Sequence, residues 1–229
     1  MIYEIRLNVS APVIATEDIH LDGIFYAVSP AAHNKNIHLT RLTHSCDVPD
    51  LPIPIDCLYN GGCYIYCCST AEFINGQRIT DTMTKRKDGI DYMYYHSQKT
   101  PKKGIDKDWM IKLYGVCCEQ VRFLASSSNY SALARYVRRI HSIGGLRKQG
   151  YGEVVSYDIV PRSDLTYKDC VIENGRAIRN IPQKMLTRSC SASVRIRPPY
   201  WLLDGKLPCA TVGEPAELRE DVALHEFKR

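Results

Sequence analysis

At 229 residues and 45% apolar content, the chain can form one large domain or two small ones around a genuine core, which excludes a disordered or fibrous class. The formal charge of +5 is modest, and no stretch is apolar and long enough to span a bilayer. The opening Met1-Ile2-Tyr3-Glu4-Ile5-Arg6 alternates polar and apolar residues instead of pairing a basic region with an apolar run, so a soluble cytoplasmic protein is expected.

In chain order, Tyr3, Ile5, Leu7 and Val9 alternate with polar residues and predict a first strand over 2–9. Residues 10–18 read as loop. Leu21, Ile24, Phe25 and Val28 fall at helical spacing before Pro30, with Asp22 at the helix start, where its charge suits the dipole. Residues 31–52 lack periodicity and hold His33, His38 and His44, which nothing pairs at metal-ligand spacing. Asn60-Gly61-Gly62 between the apolar runs 53–59 and 63–69 predicts a hairpin.

From 75 to 112 the chain turns polar, and Lys85, Arg86, Lys87, Lys99, Lys102 and Lys103 interleave with Tyr92, Tyr94, Tyr95 and Trp109. This pattern suits either a protruding insertion that meets nucleic acid by charge and stacking or a plain surface loop. Residues 113–124 return to strand character.

The most informative stretch follows. Leu133, Tyr136, Val137, Ile140 and Ile143 predict an amphipathic helix over 131–143 whose other face carries Arg135, Arg138 and Arg139. Gly144 and Gly145 then stop it, and Leu146-Arg147-Lys148-Gln149-Gly150-Tyr151-Gly152 leads into an alternating strand over 153–160. The order helix, glycines, strand is the reverse of a nucleotide-binding glycine loop, which follows a strand and opens a helix. Gly145 and Gly150 match the outer glycines of a Walker-type pattern, but Tyr151 and Gly152 stand where lysine and a hydroxyl residue belong. What remains is a loop of small residues with Arg147, Lys148 and Tyr151 supplying charge and a stacking surface, fitted to single-stranded nucleic acid.

Residues 135–152 hold five basic residues and no acidic one, and a second such stretch runs from Arg176 to Arg197. Such clustering in a near-balanced chain suggests a polyanion footprint. An alternating run over 191–197 ends at Pro198-Pro199-Tyr200-Trp201, and the acidic residues 214–226 read as a surface tail or short helix. Ten cysteines without an export signal or any C-x-x-C pair read as reduced thiols, with zinc on Cys57, Cys63, Cys67 and Cys68 as the alternative.

The helix running into I-G-G-L-R-K-Q-G-Y-G-E-V resembles the glycine-rich loop of the RAMP superfamily of CRISPR-associated proteins. Together with Leu21-Asp22-Gly23-Ile24, Ile53-Pro54-Ile55 before the hairpin, and Arg195-Ile196-Arg197-Pro198-Pro199-Tyr200-Trp201, it is similar to the Cas-five-like subunit of type IV CRISPR effector complexes. The loop departs from the wider RAMP pattern in having Gly-Gly where a glycine, apolar residue, glycine triplet is common.

The element order and this resemblance imply a single α+β ferredoxin-like domain over 1–229, a split β-α-β-β-α-β with residues 75–112 as a thumb-like insertion. The resemblance further implies a non-catalytic subunit that holds the 5′ handle of CRISPR RNA and abuts the backbone and large subunits, near target DNA found by guide pairing. By that carry-over the RNA site comprises Arg138, Arg139, Gly144, Gly145, Arg147, Lys148, Gln149, Gly150, Tyr151 and Gly152. Lys85, Arg86 and Lys87 join it from the insertion, and Arg195, Arg197, Tyr200 and Trp201 form a second surface. No cofactor or metal is expected. The alternatives are an endoribonuclease using His20 or His141 as acid or base, and a purely structural protein-binding subunit.

Overall fold

The computed structural model describes residues 1–15, 17–30, 51–85, 109–200, 202 and 204–227. In chain order these form β1 (Ile2–Val9), β2 (Val13–Ile14), α1 (Leu21–Ala27), β3 (Cys57–Asn60), β4 (Cys63–Tyr66), β5 (Glu72–Ile74), β6 (Gln77–Lys85), β7 (Trp109–Cys117), β8 (Gln120–Ser126) and α2 (Tyr130–Val137). After α2 come β9 (Val154–Arg162), β10 (Ile172–Glu173), β11 (Arg176–Ala177), β12 (Ile181–Pro182), β13 (Ala192–Val194), β14 (Leu207–Ala210) and β15 (Ala223–His225). Among the described residues no helix is long and apolar enough to cross a membrane.

The expectation of an α+β ferredoxin-like domain is overturned. Fifteen strands spread over five small sheets, against two short α-helices among the described residues, make this a predominantly β chain. The difference lies mostly in stretches whose sequence reads as loop or tail. Residues 77–85 and 109–117 pair along their whole length as the β6–β7 arm, and the C-terminal third contributes six short strands. The acidic C-terminal stretch, expected as a tail or helix, buries Ala216, Leu218 and Val222 and ends in β15 on the edge of the β3–β4 hairpin.

The central sheet has the order β5-β8-β1-β9, with every neighbouring pair antiparallel. Alternation along β1 separates two cores. Tyr3, Ile5, Leu7 and Val9 pack with Leu21, Ile24 and Phe25 of α1 and Leu133, Tyr136 and Val137 of α2. Ile2 and Leu124 face the other way, into a second core with Leu58, Ile65 and the C-terminal third. Glu4, on that second face, is buried; burial pushes its carboxyl up, but hydrogen bonds from Arg6 and Arg162 prevail and hold it below the usual carboxylate range.

β5 and β8 continue past Asn75-Gly76 and Cys118-Glu119 into β6 and β7, so the arm grows directly from the central sheet. β2 lies on the other edge of β7, with Ile14 opposite Gly115. A side chain at Gly115 would stand 2.8 Å from the Val13 carbonyl oxygen, so glycine is what lets the two backbones approach. This small sheet carries the glycine loop.

Candidate nucleic-acid interface

The N-terminus of α2 is capped by Asn129, whose side-chain oxygen accepts from the Ala132 N–H at 2.9 Å. Leu133, Tyr136 and Val137 are buried while Arg135, Arg138 and Arg139 are exposed, so the amphipathic reading of this face holds. The helix stops at Val137, earlier than the expected Ile143. The Arg139 and Ile140 N–H groups reach back only three residues, to Tyr136 and Val137, which tightens the last turn. Residues 141–143 then pair with 152–154 through Val154 N–H to the His141 carbonyl at 3.0 Å and Ile143 N–H to the Gly152 carbonyl at 2.9 Å. Ile140 and Ile143 are buried as the helical spacing suggested, but Ile143 gets there on extended chain.

Both ends of the loop are fastened to the segment before α1. Gly145 N–H donates to the Ile14 carbonyl at 2.7 Å, and Gly152 N–H to the Pro12 carbonyl at 2.9 Å. Two glycines are needed there. A Cβ on Gly152, at φ +63°, would lie 2.0 Å from the Ile143 carbonyl oxygen, and one on Gly144, at φ +79°, 2.6 Å from that of Ile14. Between these anchors Leu146 and Gly150 adopt left-handed conformations and Arg147–Gln149 form one 3-10 turn.

Arg147, Lys148 and Gln149 are exposed on this turn. None of the ion pairs among the described residues engages Arg138, Arg139, Arg147 or Lys148. Tyr151 is tied to the arm: its hydroxyl donates to the Asp81 carboxylate of β6 at 2.5 Å. That bond holds the Asp81 carboxyl below its ordinary value and pushes the Tyr151 phenol up. The loop therefore faces solvent as a preformed cationic turn whose base touches both β2 and the arm. Lys85 ends β6, whereas Arg86 and Lys87, like the other basic and aromatic residues of 86–108, lie outside the described residues.

The second expected surface is not assembled as the sequence suggested. Arg195 is 8% exposed and donates to the Asp204 carbonyl at 2.6 Å, whereas Arg197 is exposed and lies over the Tyr64 ring at 4.1 Å. Tyr200 points inward and Trp201 lies outside the described residues. The alternating pattern of 191–197 misled because the strand ends at Val194, after which the chain turns into the core.

Tyr200 belongs to a buried polar cluster that sequence reasoning missed. Its hydroxyl donates to Asp22 at 2.8 Å, and Asp22 also pairs with Arg179 at 3.3 Å, both partners being wholly buried. Arg179 also donates to the carbonyls of Tyr66, Cys68 and Ile196. Burial works against its charge, yet the Asp22 carboxylate leads the contacts that keep it raised, while burial and Asp22 push the Tyr200 phenol far up. Asp22 is thus not explained by the helix dipole. The available signal was its place on the apolar side of α1, between Leu21 and Ile24.

His20 stacks on Tyr200 with ring centroids 4.1 Å apart. It is buried, its Nδ1 has no hydrogen-bond partner among the described residues, and burial pushes its pKa down to about 4, with Asp22 opposing the shift and Arg179 adding to it. His141 is exposed beside the loop. Among the described residues no group of histidines, cysteines and carboxylates could hold a metal ion, and the nine described cysteines are free thiols. The chain matches no protein-family model and no curated protein.

Proposed function

We propose that this chain is a non-catalytic RNA-binding subunit that holds a single-stranded stretch of guide RNA, the 5′ handle, in a cytoplasmic type IV CRISPR ribonucleoprotein, beside the backbone and large subunits. The observation that carries the reading is the Arg147-Lys148-Gln149 turn: exposed, without acidic partners among the described residues, and fixed at both ends. A polyanion binding there meets cations whose backbone is already ordered, which lowers the entropy cost of binding. Arg138 and Arg139 at the end of α2 extend the same charge. The burial of His20 weighs against its serving as an acid or base for a ribose hydroxyl, since substrate must reach the imidazole.

The reading is tested by co-expressing the chain with its neighbouring subunits and a repeat-containing precursor RNA, then sequencing the ends of the RNA that co-purifies. Loss of bound RNA on Arg147→Ala/Lys148→Ala, with ends unchanged by His20→Phe/His141→Ala, is expected. Altered ends in the histidine variant make the chain a nuclease and overturn the reading.

A further inference from the structure

The second basic stretch, Arg176 to Arg197, is only partly absorbed by the fold. Arg176 donates to the Gly213 carbonyl at 2.6 Å, Arg179 and Arg195 are buried, and Arg197 lies over the Tyr64 ring. Lys184 and Arg188 remain. Both are exposed, and among the described residues neither side chain makes a hydrogen bond or an ion pair. Both line a single cavity of about 460 Å³ in the C-terminal third.

Local structure explains why they meet there. β12 runs into a 3-10 turn, Gln183–Met185, which buries Met185 and leaves Lys184 outside. The Gln183 side-chain oxygen accepts from the Cys190 N–H at 3.1 Å, which folds the chain back on itself and holds Arg188 and Ser189 on a closed loop. The wall beside them is apolar, with Pro182 and Leu186 joined by Leu207 and Pro208 of β14. Arg219 also lines the cavity, but it is paired with Asp221 at 3.0 Å. No acidic residue among the described ones lines it. Glu217, which accepts from the Thr187 hydroxyl at 3.2 Å, lines only the adjoining cavity.

The polar groups left over in the cavity are donors: the Lys184 ammonium, the Arg188 guanidinium, the Gln183 amide nitrogen and the Ser189 hydroxyl. Leu207, on the apolar wall, is 38% exposed. Donors grouped beside an uncovered apolar wall suit a ligand that is anionic at one end and flat and apolar at the other, and a cavity of this size holds one nucleotide. We propose that the cavity binds one nucleotide of single-stranded RNA, its phosphate on Lys184 and Arg188 and its base against Leu207 and Pro208. The inference rests on the RNA-binding reading and gives that RNA a second docking point, which shares no residue with the glycine loop.

The test is photocrosslinking of the full chain to a short single-stranded RNA carrying thiouridine, with the joined peptides identified by mass spectrometry. Wild type should crosslink within residues 182–189 or 207–208 as well as at the loop, and azidoadenosine monophosphate at the same concentration should not label those peptides. Lys184→Ala/Arg188→Ala should lose the cavity crosslinks and lower the slope of log K against log salt by about 0.7, the value for one phosphate of a single strand. Lys184→Arg/Arg188→Lys keeps both charges and should keep the slope. Wild-type crosslinks confined to the loop, which need no variant to fold, overturn the proposal but leave the RNA-binding reading in place. The same holds if the alanine variant keeps the wild-type slope. Labelling by the azido nucleotide as strong as by the RNA assigns the cavity to a free nucleotide and likewise overturns the proposal. Absence of any RNA binding by wild type overturns both.

Discussion

Asp22 on α1 and Arg179, far along the chain between β11 and β12, form an ion pair at 3.3 Å with neither side chain exposed to solvent. Their partners extend it: Tyr200 donates to Asp22, and Arg179 reaches carbonyls of β4 and of the stretch following β13. The cluster ties the core under α1 to the C-terminal third, so the two cores should unfold together.

Removing one partner of such a pair leaves a buried charge uncompensated. Arg179→Met should cost about 3–5 kcal/mol, and Asp22→Leu a similar amount. The double variant should cost well below their sum, which denaturant melts of the four proteins would measure. Additive losses would mean that the two residues do not interact.

His20 gives the same region a pH dependence. Its folded pKa of about 4 lies below its ordinary 6.5, so between these values the unfolded chain binds the proton and the folded one does not. Stability from the neutral imidazole is complete above 6.5 and is lost as pH falls toward 4, by at most about 1.4 kcal/mol per pH unit. His20→Phe should flatten the stability curve within this window. Glu4, whose pKa is lowered, acts in a more acidic window, because its stabilisation is lost only as pH falls below the ordinary carboxylate value. An unchanged slope in His20→Phe between pH 6.5 and 4 would show that His20 titrates normally.

The glycines of the loop should differ in kind. Gly152→Ala places a Cβ 2.0 Å from a carbonyl oxygen and should cost more than about 2 kcal/mol, the strain of a positive φ plus a backbone clash. Gly150 is also at positive φ, +87°, but nothing lies within 4 Å of its would-be Cβ. Gly150→Ala should therefore cost only about 1 kcal/mol. Thermal melts of both variants distinguish the anchoring glycine from the one that merely turns.

Tyr151→Phe removes the bond to Asp81 without changing ring volume. Both groups sit at the surface, so the melting temperature should stay put. The visible effect should be faster hydrogen exchange at Gln149 and Gly150, whose N–H groups donate within the turn. Unaltered exchange would show that the arm does not steady the loop.

Much of this was legible where local chemistry decides. The alternation of Tyr3 to Val9, the Asn-Gly turn before β4 and the apolar stripe of α2 all gave elements close to those observed. The loop's separation of a cationic tip from small anchoring residues was also readable from Gly144 to Gly152. What failed depends on partners distant in sequence. Ala223–His225 is strand because β3 offers it an edge, and three residues cannot advertise a period. Ile143 leaves the helix because Gly152 offers its backbone a better partner, and Arg179 is buried because Asp22 awaits it. The whole-fold expectation failed for the same reason, since six short C-terminal strands carry no pattern of their own.

The most direct test of the central claim is the salt dependence of single-stranded RNA binding by wild type and by Arg147→Ala/Lys148→Ala. If the exposed turn holds RNA phosphates, the variant should bind more weakly, and the slope of log K against log salt should shrink by about 0.7 for each phosphate that is no longer neutralised, roughly 1.4 in all. Equal affinity and equal slope would show that the turn does not touch the RNA, and the proposed function would fall with it.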